Sequence, residues 1–232
     1  GPWVATPAPP PLHSAPVAPR PGDDPWPRAR PGLPEAERSN VNAVLHAQQL
    51  SRGPYLTAFE DAMAARCGTE HAVAVSSGTG ALHCIVRALG LPDGAEVITT
   101  PFSFVASSNA LLYENLQPRF VDIDPATQNL DANCAEDAIG PETEALLAVD
   151  VFGVPADWPA LTALADEHDL LLIDDGCEAI GASVQEQAIG SWGDAASFGF
   201  YPNKQITTGE GGCITTDNEE LARRCRSLRN QG

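Results

Sequence analysis

Residues Ala145 to Asp175 read ALLAVDVFGVPADWPALTALADEHDLLLIDD, and this stretch decides the fold. An apolar run over 145–151 has the length and composition of a buried strand. Gly153 and Pro155 then break the chain. Residues 158–168 carry Trp158, Leu161, Leu164 and Ala165 at helical spacing, and the run LLLI over 170–173 is again a strand. A strand, a helix and a strand joined this closely form the unit from which parallel sheets are built, with both strands buried on two faces. The same alternation continues in both directions. Strands are predicted over 71–75, 96–99, 119–122, 195–200 and 213–215. Helices are predicted over 35–50, 55–66, 81–89, 103–113 and 219–228. The expected architecture is α/β, a three-layer α/β/α sandwich on a mostly parallel sheet. No internal repeat interrupts it. Ligands in such sheets gather beyond the carboxyl ends of the strands, so the polar residues there are the ones to weigh.

Three strand ends carry chemistry. Ser76-Ser77-Gly78-Thr79-Gly80 follows one strand and opens a helix. Free N–H groups and the helix dipole at such a place attract a phosphate, although an ordinary N-capped turn has the same composition. The string is neither a Walker loop nor a G-x-G-x-x-G fingerprint, which argues against a nicotinamide enzyme. The strand at 170–173 runs into Asp174 and Asp175, with Glu178 three residues on. Those acids either face a ligand or cap the next segment. The third end, SFGFYPNK from Ser197, places Lys204 just past a strand, followed by Thr207, Thr208 and the glycines of GEGG over 209–212.

Lys204 is the only lysine, against twelve arginines. Arginine stays protonated and cannot serve as a nucleophilic amine, whereas a lysine in a desolvated site can. The lone lysine is therefore either a chance survivor or a chemical necessity. The remaining composition mainly excludes. With 31 acidic and 13 basic residues the formal net charge is −18, a surface that repels nucleic acid and anionic membranes. No apolar run has the length of a membrane-spanning helix, and no signal-peptide pattern opens the chain. Six cysteines lack any C-x-x-C pair, and five histidines lack helical pairing, so no metal site is expected. Scattered thiols of this kind suit a reduced, cytoplasmic enzyme. Residues 1–34 hold twelve of the 21 prolines and read as a disordered linker.

An amine, an anion cradle and a carboxylate at adjacent strand ends are the parts that pyridoxal 5'-phosphate requires. Its aldehyde needs the amine, its phosphate the cradle, and its protonated ring nitrogen the carboxylate. Phe104, after the strand at 96–99, is either an aromatic cover for the ring or a core residue. The strings GPYLTAFEDAMA, AVAVSSGTGALH, EVITTPFSFVASSNALLYENLQPRFVDID, VFGVPAD, LLIDDGCEAIGA, SFGFYPNKQITTGEGGCITT and LRNQG occur in that order from Gly53 to Gly232. As an ordered set they resemble the DegT/DnrJ/EryC1/StrS family of pyridoxal-phosphate sugar aminotransferases, which has the type I aminotransferase fold.

The resemblance implies roles residue by residue. Lys204 matches the lysine that holds the cofactor. Asp175 matches the acid that pairs with the pyridine nitrogen, and these two are the catalytic residues it implies. Gly78 and Thr79 match the phosphate-binding turn and Phe104 the aromatic that stacks on the ring. Glu178 stands where many members have Gln beside the ring hydroxyl. A dehydratase branch has histidine in place of the lysine, and Lys204 argues against that branch. One departure is Gly199, at a position five residues before the lysine where many members have a serine that binds phosphate; Ser197 is the nearest alternative. Residues 35–232 are expected to form the cofactor-binding large domain, with the family's smaller C-terminal domain absent. The implied activity is transfer of an amino group from glutamate to a nucleotide-linked keto sugar by a homodimer. Another pyridoxal-phosphate chemistry on the same fold, and a non-catalytic binding module, are the alternatives.

Overall fold

The computed structural model describes residues 31–232. The linker reading of residues 1–34 thus lies outside the described residues except for its last four, which form no helix or strand. In chain order the elements are α1 (Glu35–Leu45), α2 (Pro54–Cys67), β1 (His71–Val75), α3 (Gly78–Leu89), β2 (Glu96–Thr99), α4 (Ala106–Tyr113), β3 (Gln117–Phe120), α5 (Ala132–Ala138) and β4 (Thr143–Val149). They are followed by α6 (Trp158–His168), β5 (Leu171–Asp175), the hairpin of β6 (Ser183–Val184) and β7 (Gln187–Ala188), β8 (Ala195–Gly199), β9 (Gly212–Thr216) and α7 (Glu219–Arg229).

Seven strands form one sheet in the order β1-β9-β8-β5-β4-β2-β3. The five from β8 to β3 are parallel, whereas β9 runs antiparallel to both β8 and β1. The predicted three-layer sandwich is the one observed. Successive strand residues alternate between faces. Ile98, Leu146, Leu172 and Phe198 pack with Met63 of α2 and with Trp158 and Leu161 of α6. Their neighbours Val97, Leu147 and Ile173 pack on the other face with Leu82 and Ile85 of α3, Leu111 of α4 and Leu221 of α7. Burial on both faces is why the strands read as unbroken apolar runs.

Helix ends follow local chemistry. Ser77, Asp157 and Asn218 cap α3, α6 and α7 with side-chain oxygens that accept backbone N–H groups. Gly68 and Gly90 close α2 and α3 in the left-handed region that glycine adopts without strain.

Several boundaries differ from expectation. The helix predicted over 35–50 ends at Leu45. It buries no residue, so packing does not sustain it, and the Gln49 amide bonds the carbonyls of Ser51 and Arg52 to make a turn instead. The helix predicted from Ser103 starts at Ala106, because Thr100 Oγ1 accepts the Phe102 N–H and holds 101–105 as a loop. Edge strand β3 lies two residues earlier than predicted and contains Pro118, which an edge tolerates. Strand β5 extends through both carboxylates to Asp175. The seven-residue α5, capped by Asp131, and the β6–β7 hairpin were not predicted. The first is too short to show periodicity, and the second turns at Gln185 and Glu186, both at positive φ, without the Asn-Gly or Asp-Gly signal.

One ion pair ties the edge of the sheet to two helices. Glu60 of α2 accepts the Ala74 N–H at 2.8 Å and pairs with the Arg229 guanidinium of α7, which also donates to the Ala74 carbonyl at 3.1 Å. Both side chains are mostly buried. Glu60→Ala leaves the guanidinium and the Ala74 N–H without that partner. A loss of about 3 kcal/mol of stability is expected, measured as a lowered urea midpoint at unchanged slope.

Candidate functional site

Parallel pairing of β5 with β8 sets Asp175 beside Ser197. The chain after each strand then converges on one spot. Past β8, the backbone N–H of Lys204 donates to the Tyr201 carbonyl in a turn, and its side chain returns toward β5, where Nζ lies 3.0 Å from Glu178 Oε1. Only 18% of the Lys204 side chain is exposed. The other oxygen of Glu178 accepts the Phe152 N–H at 2.9 Å, and the Glu178 carbonyl accepts the Gln205 amide. Phe152 sits at φ 53°, a left-handed conformation that an L residue adopts only where its surroundings hold it.

Asp175 is buried at 5% exposure. Ser107 of α4 donates to its Oδ2 at 2.6 Å, and Ser103 Oγ lies 2.7 Å behind Ser107 Oγ. The Cys177 N–H reaches Oδ1 at 3.3 Å. A carboxylate has roughly four acceptor positions, so Asp175 keeps capacity for a further donor. Asp174, its neighbour, points to the opposite face of the sheet by strand alternation.

The turn at 76–80 lies directly against this spot. A Cβ added to Gly78 would stand 2.7 Å from Cys177 Sγ and 3.2 Å from the Gly199 Cα, so only glycine lets α3 begin there. A Cβ on Gly212 would strike the Ser77 carbonyl. Ser77 Oγ caps the helix by accepting the Gly80 N–H at 3.0 Å. The N–H groups of the first turn have no acceptor within the helix and form an anion-binding end. A twelve-residue helix with a glycine-seated N-terminus, a lysine amine and a buried, supported carboxylate at neighbouring strand ends fits pyridoxal phosphate.

The structure thus brings together Lys204, Glu178, Asp175 and the Gly78-Thr79 turn. Phe104 is 75% exposed, which excludes the core alternative. It stands on the 101–105 loop leading into α4, the helix that carries Ser107. Ser197 is buried in β8 and its hydroxyl faces the Asp174 carbonyl and Asp175 Oδ1, at 3.4 and 3.5 Å, so it belongs to the carboxylate. Sequence reasoning missed Ser107, Phe152 and Gln205. Ser107 is 68 residues from Asp175 and appears in the sequence only as one of several serines near Phe104. Burial pushes the Cys177 thiol well above its ordinary range, with Asp175 adding to the effect. That thiol is a poor nucleophile.

The sequence model of the DegT/DnrJ/EryC1/StrS aminotransferase family matches residues 32–232. The chain belongs to this family. GDP-perosamine synthase of Caulobacter vibrioides is 42% identical over 205 residues, covering 88% of this chain and 55% of the relative. Helicobacter pylori PseC, an aminotransferase involved in the biosynthesis of pseudoaminic acid, superposes with a TM-score of 0.86 at 32% identity, covering 89% of this chain and 56% of its own. NtdA from Bacillus subtilis, solved with bound cofactor PMP, superposes with a TM-score of 0.74 at 34% identity, covering 83% and 45%. The chain spans about half the length of the relatives it matches. The family expected from the ordered strings is thereby the one found, and the close glycine contact at Gly78 can be tested directly. Gly78→Ala is expected to cost about 1–3 kcal/mol by overpacking. Removing the sulfur as well, in Gly78→Ala with Cys177→Ala, is expected to recover part of that. A double-mutant cycle on urea midpoints should show a coupling of about 1 kcal/mol, and additive effects would mean that the two side chains do not meet.

Proposed function

We propose that the protein is a pyridoxal-phosphate-dependent aminotransferase that moves an amino group from glutamate to a nucleotide-linked keto sugar. The observation that carries the proposal is the placement of the only lysine, Lys204, within a hydrogen bond of Glu178 at the strand end that also carries Asp175. Residues 35–232 are the large, cofactor-binding domain in this reading.

Pyridoxal phosphate, when bound, supplies an electron sink for the carbon that exchanges the amino group. The chain supplies the rest. Lys204 is the amine that holds the aldehyde. Once freed by the amino donor, the same amine would serve as general base and then general acid. Asp175 would accept the N–H of the pyridinium and so keep that nitrogen protonated, while Ser107 fixes the carboxylate from behind. Gly78 and Thr79 would bind the phosphate at the start of α3. Glu178 would face the ring hydroxyl, and Phe104 would cover the ring. The amino donor leaves as 2-oxoglutarate. The GDP-sugar named for the Caulobacter relative supports a nucleotide-linked acceptor.

The proposed assembly is a homodimer with its sites at the interface. Phe104, Phe152 and Tyr201 stand 75%, 73% and 54% exposed around the site, more aromatic surface than a lone chain leaves to water without use. Among the described residues no helix is long and apolar enough to cross a membrane. Six free cysteines support a reducing, cytoplasmic setting.

Borohydride reduction of the protein with pyridoxal phosphate is expected to leave one adduct on Lys204, mapped by mass spectrometry. Addition of glutamate alone should convert the bound cofactor to its amino form, and Lys204→Ala should abolish that conversion. Absence of the adduct, or turnover retained by Lys204→Ala, would overturn the assignment.

A further inference from the structure

Two acids behind the site have no place in the chemistry above. Asp150 follows β4 and Asp174 lies in β5, and both are fully buried. Ala148 and Asp174 are register partners, so Asp150, two residues on, shares the face of Asp174. Each carboxyl has one satisfied oxygen. Asp150 Oδ1 accepts the Ala156 N–H at 2.8 Å and the Trp158 indole N–H at 2.9 Å. Asp174 Oδ2 accepts the Gly190 N–H at 3.2 Å. The remaining oxygens, Asp150 Oδ2 and Asp174 Oδ1, are buried and receive no N–H or hydroxyl. Both unpartnered oxygens belong to side chains on the same face of neighbouring strands, Asp150 two residues past the register partner of Asp174. Ionised carboxylates only accept, so a bond between them requires a proton on one.

The structure assigns to Asp150 and Asp174 one shared proton, which makes them a positioning pair that clasps the loop after β4 to the end of β5. The loop it holds is the one that serves the site. Asn129 binds the Val151 N–H and the Val154 carbonyl, Asp150 binds Ala156 and Trp158, and between these anchors the Phe152 N–H is presented to Glu178. The groups facing the pair do not neutralise it. Asp175 follows on β5 and repels both acids. From α2 comes the Cys67 thiol, pushed up to about 11 chiefly by burial and therefore uncharged, with Arg66 acting on that thiol. Trp158 of α6, Gly190 and Phe198 of β8 bring no charge. Among the described residues no lysine, arginine or histidine forms an ion pair with either acid. Burial accordingly raises Asp150 to about 7 and Asp174 well above the carboxylate range.

The sign of the pH effect follows. Unfolded aspartates lose their protons near pH 4, roughly, whereas the folded pair keeps one. The folded state then binds more protons, so the contribution is complete at low pH and is lost as pH rises through the folded value.

The test uses Asp174→Asn, whose amide N–H replaces the shared proton without titrating, and Asp174→Ala, which removes the bond. Infrared spectra of the native protein near neutral pH are expected to show a protonated carboxyl C=O band, missing from Asp174→Asn. The decline of the urea midpoint between about pH 5 and pH 8 should flatten in Asp174→Asn by close to one proton per chain. Hydrogen exchange over 151–157 should stay slow in Asp174→Asn and quicken in Asp174→Ala, a rescue that loss of packing alone would not give. Asp150→Asn serves in the same way if Asp174→Asn does not fold. No protonated carboxyl band in the native protein, or a band that survives both asparagine variants, would overturn the proposal.

Discussion

Three carboxyl groups, Asp150, Asp174 and Asp175, are buried at the ends of two adjacent parallel strands. An isolated buried charge costs several kcal/mol even after relaxation, so each must find partners, and the search for partners organises this end of the molecule. Strand alternation divides them. Asp175 turns toward the α3–α4 layer and takes the Ser107 hydroxyl, which ties α4 to the sheet. Asp150 and Asp174 turn toward the α6 layer, where Asp150 takes the Ala156 and Trp158 N–H groups that tie down the loop carrying Phe152 and Asp174 takes the Gly190 N–H. The carboxylate at the candidate site and the two beneath it thus pull on opposite layers from one short piece of sheet.

The second requirement is close backbone approach. The N-terminus of α3 serves as an anion site only if it lies against the end of β8, and side chains would hold the two apart. Gly78 and Gly199 remove that obstacle from both sides, with the small Cys177 filling what remains. Gly212 does the same where β9 passes Ser77. The segment over 200–211 brings the chain from the Lys204 turn to Gly212 beside Ser77, where antiparallel β9 begins, so one excursion links the amine to the start of α3.

Much of this was legible in the residues. The apolar runs at Ala145 and Leu170 declared a parallel sheet because burial on two faces removes polar alternation. Lys204 stood out because arginine cannot replace an amine. The Ser77 cap and glycines declared a helix start after a strand. What escaped notice depends on contacts distant in sequence. Ser107 is one serine among several until α4 is laid across β5. Phe152 acts through its backbone N–H, which no side-chain pattern reveals. Phe104 could be core or surface until the 101–105 loop, held at Thr100, turned it outward. The acids 174 and 175 looked alike in the string, and only the pleat assigns them to different layers.

Rigidity is distributed unevenly among the site residues, and the distribution matches what each must do. Asp175 is fixed in a central strand with a hydroxyl behind it, and the Gly78 turn is fixed by backbone packing. Both suit groups that must hold one position through a reaction. Lys204 differs. Its backbone is secured by the N–H bond to Tyr201, with the Thr207 hydroxyl and the Thr208 N–H tied to Phe200 farther along the loop, but its amine ends a four-carbon stem and meets only Glu178. In the proposed reaction this lysine first holds a group and later carries a proton, a role that suits an anchored root and a long stem. The ion pair with Glu178, itself held by the Phe152 N–H, gives that tip a defined resting place without burying it beyond reach. The loop anchored at Asp150 therefore acts on the amine through two hydrogen bonds, from the Phe152 N–H to Glu178 and from Lys204 to Glu178.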